Sequence, residues 1–135
     1  MDETETLTRL GLALAIGFLI GVERGWRERD EKEGERAAGL RTFALIGLFG
    51  GVWGLLTQAI GPAPMGLAFL ALAVAATLFR WRETEREGIV GMTTLVAIFL
   101  TFSLGALAVL GDMIAAAAAG VATAALLAAK EWLHG

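Results

Sequence analysis

Long apolar stretches alternate along the chain with short, densely charged ones. Residues 40–61, 64–79, 89–111 and 113–129 carry a single charge between them, Arg41, whereas 24–39 and 80–87 are crowded with Arg, Lys, Asp and Glu. Helices of soluble proteins keep a wet face and so interleave polar residues every few positions. That interleaving is missing here, and each apolar stretch reads as a helix surrounded by hydrocarbon or by other helices. Crossing ~30 Å of hydrocarbon takes ~20 helical residues. Stretches 40–61 and 89–111 meet that length, and 64–79 and 113–129 are short. The first, 10–22, comes near it only when extended to include Thr8 and Arg9. Short spans stand upright, thin the bilayer or use snorkelling ends. The pattern predicts an all-α fold, a polytopic transmembrane helical bundle of about five spans in one domain covering 1–135. The spans fall at 7–23, 40–61, 64–80, 89–111 and 113–130, with a charged loop at 24–39.

The connections support that division. Gly61-Pro62-Ala63-Pro64 is a tight turn that places Pro64 in a first helical turn. Gly111-Asp112 is equally tight, and Asp112 is expected to cap the last helix. Within 24–39, the pairs Arg27–Glu31, Glu28–Lys32 and Arg29–Glu33 stand at i,i+4, so helix can continue past the apolar core.

Orientation follows from the basic residues. Six of the 11 Lys and Arg lie in 24–41, three in 80–86, and Lys130 follows the last span, while the alternate side holds only Arg9. The positive-inside rule then puts the N-terminus outside and the C-terminus in the cytoplasm. Trp26, Trp81 and Trp132 fall at the same cytoplasmic ends, where indoles anchor.

Composition narrows the function. Hydrophobic residues make up 56% of the chain, and the mean hydropathy is +0.67. A net charge of −3 without a basic face gives no reason to expect nucleic acid. There is no Cys, and the single His, His134, is next to the C-terminus, so neither a Cys- or His-rich metal site nor thiolate chemistry can be built. Paired intramembrane carboxylates of the kind a general acid and base need are missing as well. Acidic residues precede the first apolar stretch where a cleaved signal peptide would be basic. The expectation is a protein that is not an enzyme, with no catalytic residues and no cofactor.

Two features carry the remaining information. The first is glycine spacing. Gly17, Gly21 and Gly25 recur every four residues, and Gly47–Gly51 and Gly50–Gly54 form two overlapping rows in the second span. Missing side chains let backbones approach, which drives helix association in lipid. Most of these rows serve packing within the chain. Five short helices have few internal neighbours, however, so a homo-oligomer is expected too. The second feature is charge at the edge of hydrocarbon, where it is costly. GFLIGVERG at 17–25 runs an apolar helix into Glu23 and Arg24, and AGLRT at 38–42 opens the next with Arg41 and Thr42. Arg24 lies ~60° from Gly21 around the helix, while Glu23 points nearly opposite it. The two are therefore expected to address different neighbours. A cation at a helix N-terminus is disfavoured by the macrodipole. Arg41 should accordingly meet an anion, either Glu23 or a bound ion or lipid phosphate. Thr93, Thr94, Thr101 and Ser103 in the fourth span supply hydroxyls for interhelical hydrogen bonds or a polar path.

At these residues the chain resembles the MgtC/SapB family of bacterial membrane proteins. The resemblance rests on LIGVERG at 19–25, AGLRTFALIGLFG at 38–50 and REGIVGMTTLVAIFLTFSLGALAVLG at 86–111. The family shows L-I-G-x-E-R, then G-L-R-T, then a G-x-T-T opening of a later span, and all three occur here in order. Glu23, Arg24, Arg41 and Thr42 map onto that signature, followed by Thr93 and Thr94. The resemblance implies the N-terminal transmembrane domain of an inner-membrane protein. Prototype members are linked to growth in low magnesium, virulence and modulation of the ATP synthase. The chain departs from them in its long charged first loop, in Phe43 where many members have His, and in ending soon after Lys130 rather than continuing into a soluble domain. Its ending, LLAAKEWLHG at 126–135, is more similar to a subgroup in which this domain precedes a second membrane domain.

The leading expectation is an oligomeric bacterial inner-membrane ion transporter or channel with its polar site near Glu23 and Arg41. The alternative is a non-transporting regulator that binds another membrane protein through its glycine-rich faces. A Glu23–Arg41 contact is the sharpest structural expectation of either.

Overall fold

The computed structural model describes the backbone of residues 1–27, 33–87 and 92–133. Five helices account for the fold: α1 (Glu3–Arg27), α2 (Glu33–Ile60), α3 (Ala63–Glu87), α4 (Met92–Leu110) and α5 (Met113–Leu133). The architecture is an all-α helical bundle, and several helices outrun the apolar stretches that predict them. α1 starts at its acidic first turn, where Asp2 Oδ1 accepts from the Glu5 amide at 2.7 Å. It then continues to Arg27, while α2 begins at Glu33, so both ends of the charged segment are helical. The ion pairs expected at Arg27–Glu31, Glu28–Lys32 and Arg29–Glu33, the anchors Trp26 and Trp132, and His134 lie outside the described side chains. Trp81 is exposed.

Two turns behave as their residues dictate. Gly61 ends α2 with φ +90°, a backbone conformation that side chains resist, and its amide donates to Thr57 O at 2.9 Å. α3 then starts at Ala63 with Pro64 in its first turn. Asp112 Oδ1 accepts from the Ile114 amide at 3.1 Å and caps α5.

α1, α2 and α4 pack closely against one another; α5 covers α1 and α4, and α3 leans on α2 and α4. Glycine makes the close approach possible. A methyl on Gly17 would meet Phe43 O of α2, and one on Gly21 would stand 2.9 Å from Leu40 O. On α2 the two rows serve two neighbours. Gly47 and Gly51 lie against Ala13 of α1, whereas Gly50 and Gly54 receive Phe102 and Val109 of α4. Gly105 of α4 returns the contact onto Gly47 O. The Gly17–Gly21 part of the α1 row is thus occupied within the chain rather than open to a second protein. Around these contacts sit Ile16, Ile20, Phe43, Phe102 and Leu104, with Phe69 carrying α3 onto Phe99 and Phe102.

The outside of the bundle is apolar. Leu67, Leu70, Val74 and Leu78 of α3 and Ile114, Val121 and Leu126 of α5 are all more than half exposed. In water a contiguous surface of that kind would aggregate. Among the described residues, α1, α2 and α4 each contain a stretch long and apolar enough to cross a membrane, and α3 and α5 contain shorter apolar stretches. Fold and surface are those of a membrane protein.

Candidate polar site at the ends of the first and fourth helices

The buried face of α1 begins and ends in arginine. Arg9, Ala13, Ile16, Ile20 and Arg24 fall within ~80° of one another around the helix. Ala13, Ile16, Ile20 and Arg24 are buried. Gly17 and Gly21 border this stripe, ~20° and ~60° around from Arg24, on the side turned toward α2. Glu23 falls at the opposite border, so the phase of the stripe decides where Glu23 and Arg24 point.

Glu23 and Arg24 straddle that stripe and pair with each other, against the expectation that they address different neighbours. Arg24 Nε lies 2.8 Å from Glu23 Oε2, and the two side chains are only 8% and 11% exposed. Arg24 Nη2 donates to Glu23 Oε1 at 3.4 Å, which makes the contact a loose fork, and Nη1 donates to Thr94 Oγ1 at 3.4 Å. The physical reason is desolvation. Each buried charge costs several kcal/mol, about as much as a good partner returns, and two long side chains on successive residues can fold toward each other. Thr94 stands in the first turn of α4, so the guanidinium faces the positive end of that helix. Thr93 beside it is half-buried.

Arg41 and Thr42 are not part of this cluster. α2 begins at Glu33, so Arg41 is well inside the helix and not in its first turn, which removes the macrodipole argument for an anion there. Leu40, Phe43, Ala44, Gly47 and Gly51 form the α2 face that meets α1. Positions 41 and 42 fall ~100° and ~200° around from Leu40, and both residues are exposed. Among the described residues the ion pair at Glu23 is formed with Arg24, not Arg41. The helical phase of the 40–51 stripe could have shown this in advance.

Four other hydroxyls bond within their own helices. Thr101 is fully buried and donates to Ala97 O at 2.6 Å, and Ser103 donates to Phe99 O at 3.0 Å. Thr57 and Thr123 do likewise, to Trp53 O and Ala119 O. Of the glycines expected to pack, Gly25 is half-buried. Among the described residues no three of His, Cys, Asp and Glu converge on a point that could hold a metal ion.

Sequence reasoning passed over Arg9, which it treated only as an orientation charge. Arg9 Nη1 donates to Gly111 O at 2.7 Å, Ala108 O at 3.0 Å and Val109 O at 3.3 Å, and Nε pairs with Glu5 Oε2 at 3.0 Å. It closes the C-terminal end of α4, as Arg24 closes its N-terminal end. α1 and α4 are therefore antiparallel and joined by polar contacts at both ends. The available signal was the position of Arg9 on the Ala13–Ile16–Ile20 stripe.

The family model described as the MgtC family matches residues 10–135, a range that includes the Arg24 end of this arrangement and all of α4. The chain belongs to the MgtC family. No curated protein and no solved structure matches it. Membership makes this MgtC-family chain a membrane protein of a family linked to ion homeostasis.

Proposed function

We propose that the protein is a multi-pass, homo-oligomeric ion transporter or channel of the bacterial inner membrane, with Glu23, Arg24 and Thr94 as its polar site. The observation that carries the reading is the buried Glu23–Arg24 pair, set at the positive end of α4 in a bundle whose outer surface is apolar. Intramembrane ionisable groups are costly and mark ion pathways or gates in membrane proteins. The pair also lies at the end of α1 that leads into the basic segment 24–41. That end is cytoplasmic under the positive-inside rule, with the N-terminus outside and the C-terminus inside. A chain of five helices needs a path formed between subunits, with α3 and α5 outward. The regulator reading draws less support, because Gly17 and Gly21, its expected docking surface, are occupied by α2.

Flux of Mg²⁺, Na⁺ and K⁺ through liposomes containing the purified chain tests the proposal. Wild type should conduct at least one of them, and Glu23→Gln, incorporated to the same level and equally folded, should change the rate at least tenfold. Absence of flux in wild type, or an unchanged rate in the variant, would sink it.

A further inference from the structure

The Arg9 end holds a guanidinium in a setting shaped for a different kind of cation. Three backbone carbonyls, Gly111 O at 2.7 Å, Ala108 O at 3.0 Å and Val109 O at 3.3 Å, surround the single nitrogen Nη1. That nitrogen carries two hydrogens, so acceptors outnumber donors. The oxygens converge on a point charge more than on two directed N–H bonds. Glu5 Oε2 stands beside them, 3.0 Å from Nε, and supplies the one formal negative charge among the contacts. Ala108 O and Val109 O are available because the last four carbonyls of a helix lack intrahelical partners, and Gly111 O comes from the turn that follows the end of α4 at Leu110. Their dipoles add to the negative end of the helix, which favours a cation. Arg9 is 18% exposed and Glu5 43%, so water and ions reach the cradle.

We infer that this carbonyl cradle at the C-terminal end of α4 is a monovalent-cation site, filled by Arg9 as a tethered cation. Carbonyl oxygens that replace a hydration shell are how proteins hold alkali cations. Charge selects the class: one carboxylate balances one positive charge, and exchanging Arg9 for a divalent ion would leave an excess. Ligand number points the same way: Mg²⁺ demands a near-octahedral set and sheds water reluctantly, and three carbonyls with one carboxylate beside them do not supply that set. The inference is independent of the transport reading, since it concerns the opposite end of α1.

Thermal unfolding of the purified full chain in detergent, in the chloride salts of choline, sodium, potassium and magnesium at matched ionic strength, provides the test. Wild type should melt at the same temperature in all four. Arg9→Ala should melt several degrees lower in choline and recover at least half of that loss, saturably, in sodium or potassium but not in magnesium. Arg9→Lys, whose ammonium refills the cradle, should be insensitive to the salt. Recovery of folded Arg9→Ala in potassium alone also supports the site. Equal melting of Arg9→Ala in choline and alkali salts, equal rescue by magnesium, the same alkali response in wild type or Arg9→Lys, or loss of Arg9→Ala in every salt overturns it.

Discussion

Arg9 and Arg24 are the same residue type on the same buried stripe of α1, ~22 Å apart along the axis, and both contact α4. They are satisfied in opposite ways. Arg9 meets the C-terminal end of α4, where free carbonyls and the helix dipole welcome a cation, and three backbone oxygens accept hydrogen bonds from its Nη1. Arg24 meets the N-terminal end, where the dipole opposes it. There the neighbouring Glu23 carboxylate holds the guanidinium, with one long bond to Thr94. Antiparallel packing alone produces the difference. An intramembrane arginine therefore acquires its role from the end of the neighbouring helix that it meets. Backbone carbonyls at a helix end that favours a cation, with Glu5 beside them, hold Arg9, whereas Arg24 depends on a buried carboxylate to offset a helix end that opposes it.

Truncating each arginine in turn can break that comparison. Arg24→Met should produce the largest effect, a loss of ~3–5 kcal/mol in equilibrium unfolding in detergent, because it removes one partner of a buried ion pair. Arg9→Met should cost less, ~1–3 kcal/mol in a choline buffer, because the carbonyls it abandons are partly reachable by water. Equal losses at the two ends, or the reverse order, would mean that burial of the pair does not separate them. Thr94→Val sharpens the picture at the small end of the scale. Its 3.4 Å bond should be worth only ~0.5 kcal/mol. A loss as large as that of Arg24→Met would show that the hydroxyl, and not Glu23, holds the guanidinium.

The legible parts of the fold were those governed by near neighbours. Five helices follow from the apolar stretches, and Gly61 and Asp112 announced their turns because a positive φ and an N-cap are settled within a few residues. Glycine spacing announced close packing, yet not between which helices. The two α2 rows differ in sequence by a shift of three residues, and only the bundle shows that one faces α1 and the other α4. Glu23 and Arg24 stood out in the sequence because charge beside hydrocarbon does so in any order of helices. Their pairing was misread from the angle between them, because that angle ignores the reach of long side chains. Arg41 was misplaced because α2 starts earlier than its apolar stretch, which moves Arg41 out of the first turn.

By itself the sequence determined that this is an apolar helical bundle of the MgtC family with a Glu–Arg pair at the edge of its first apolar stretch. Hydrophobicity, turn chemistry and motif order are local properties. Only the tertiary structure decided which charges meet. The Arg9 cradle needs three carbonyls from residues about a hundred positions away. The exclusion of Arg41 depends on which stripe of α2 turns toward α1. Both follow from the relative phase and direction of packed helices, quantities that no short stretch of chain contains.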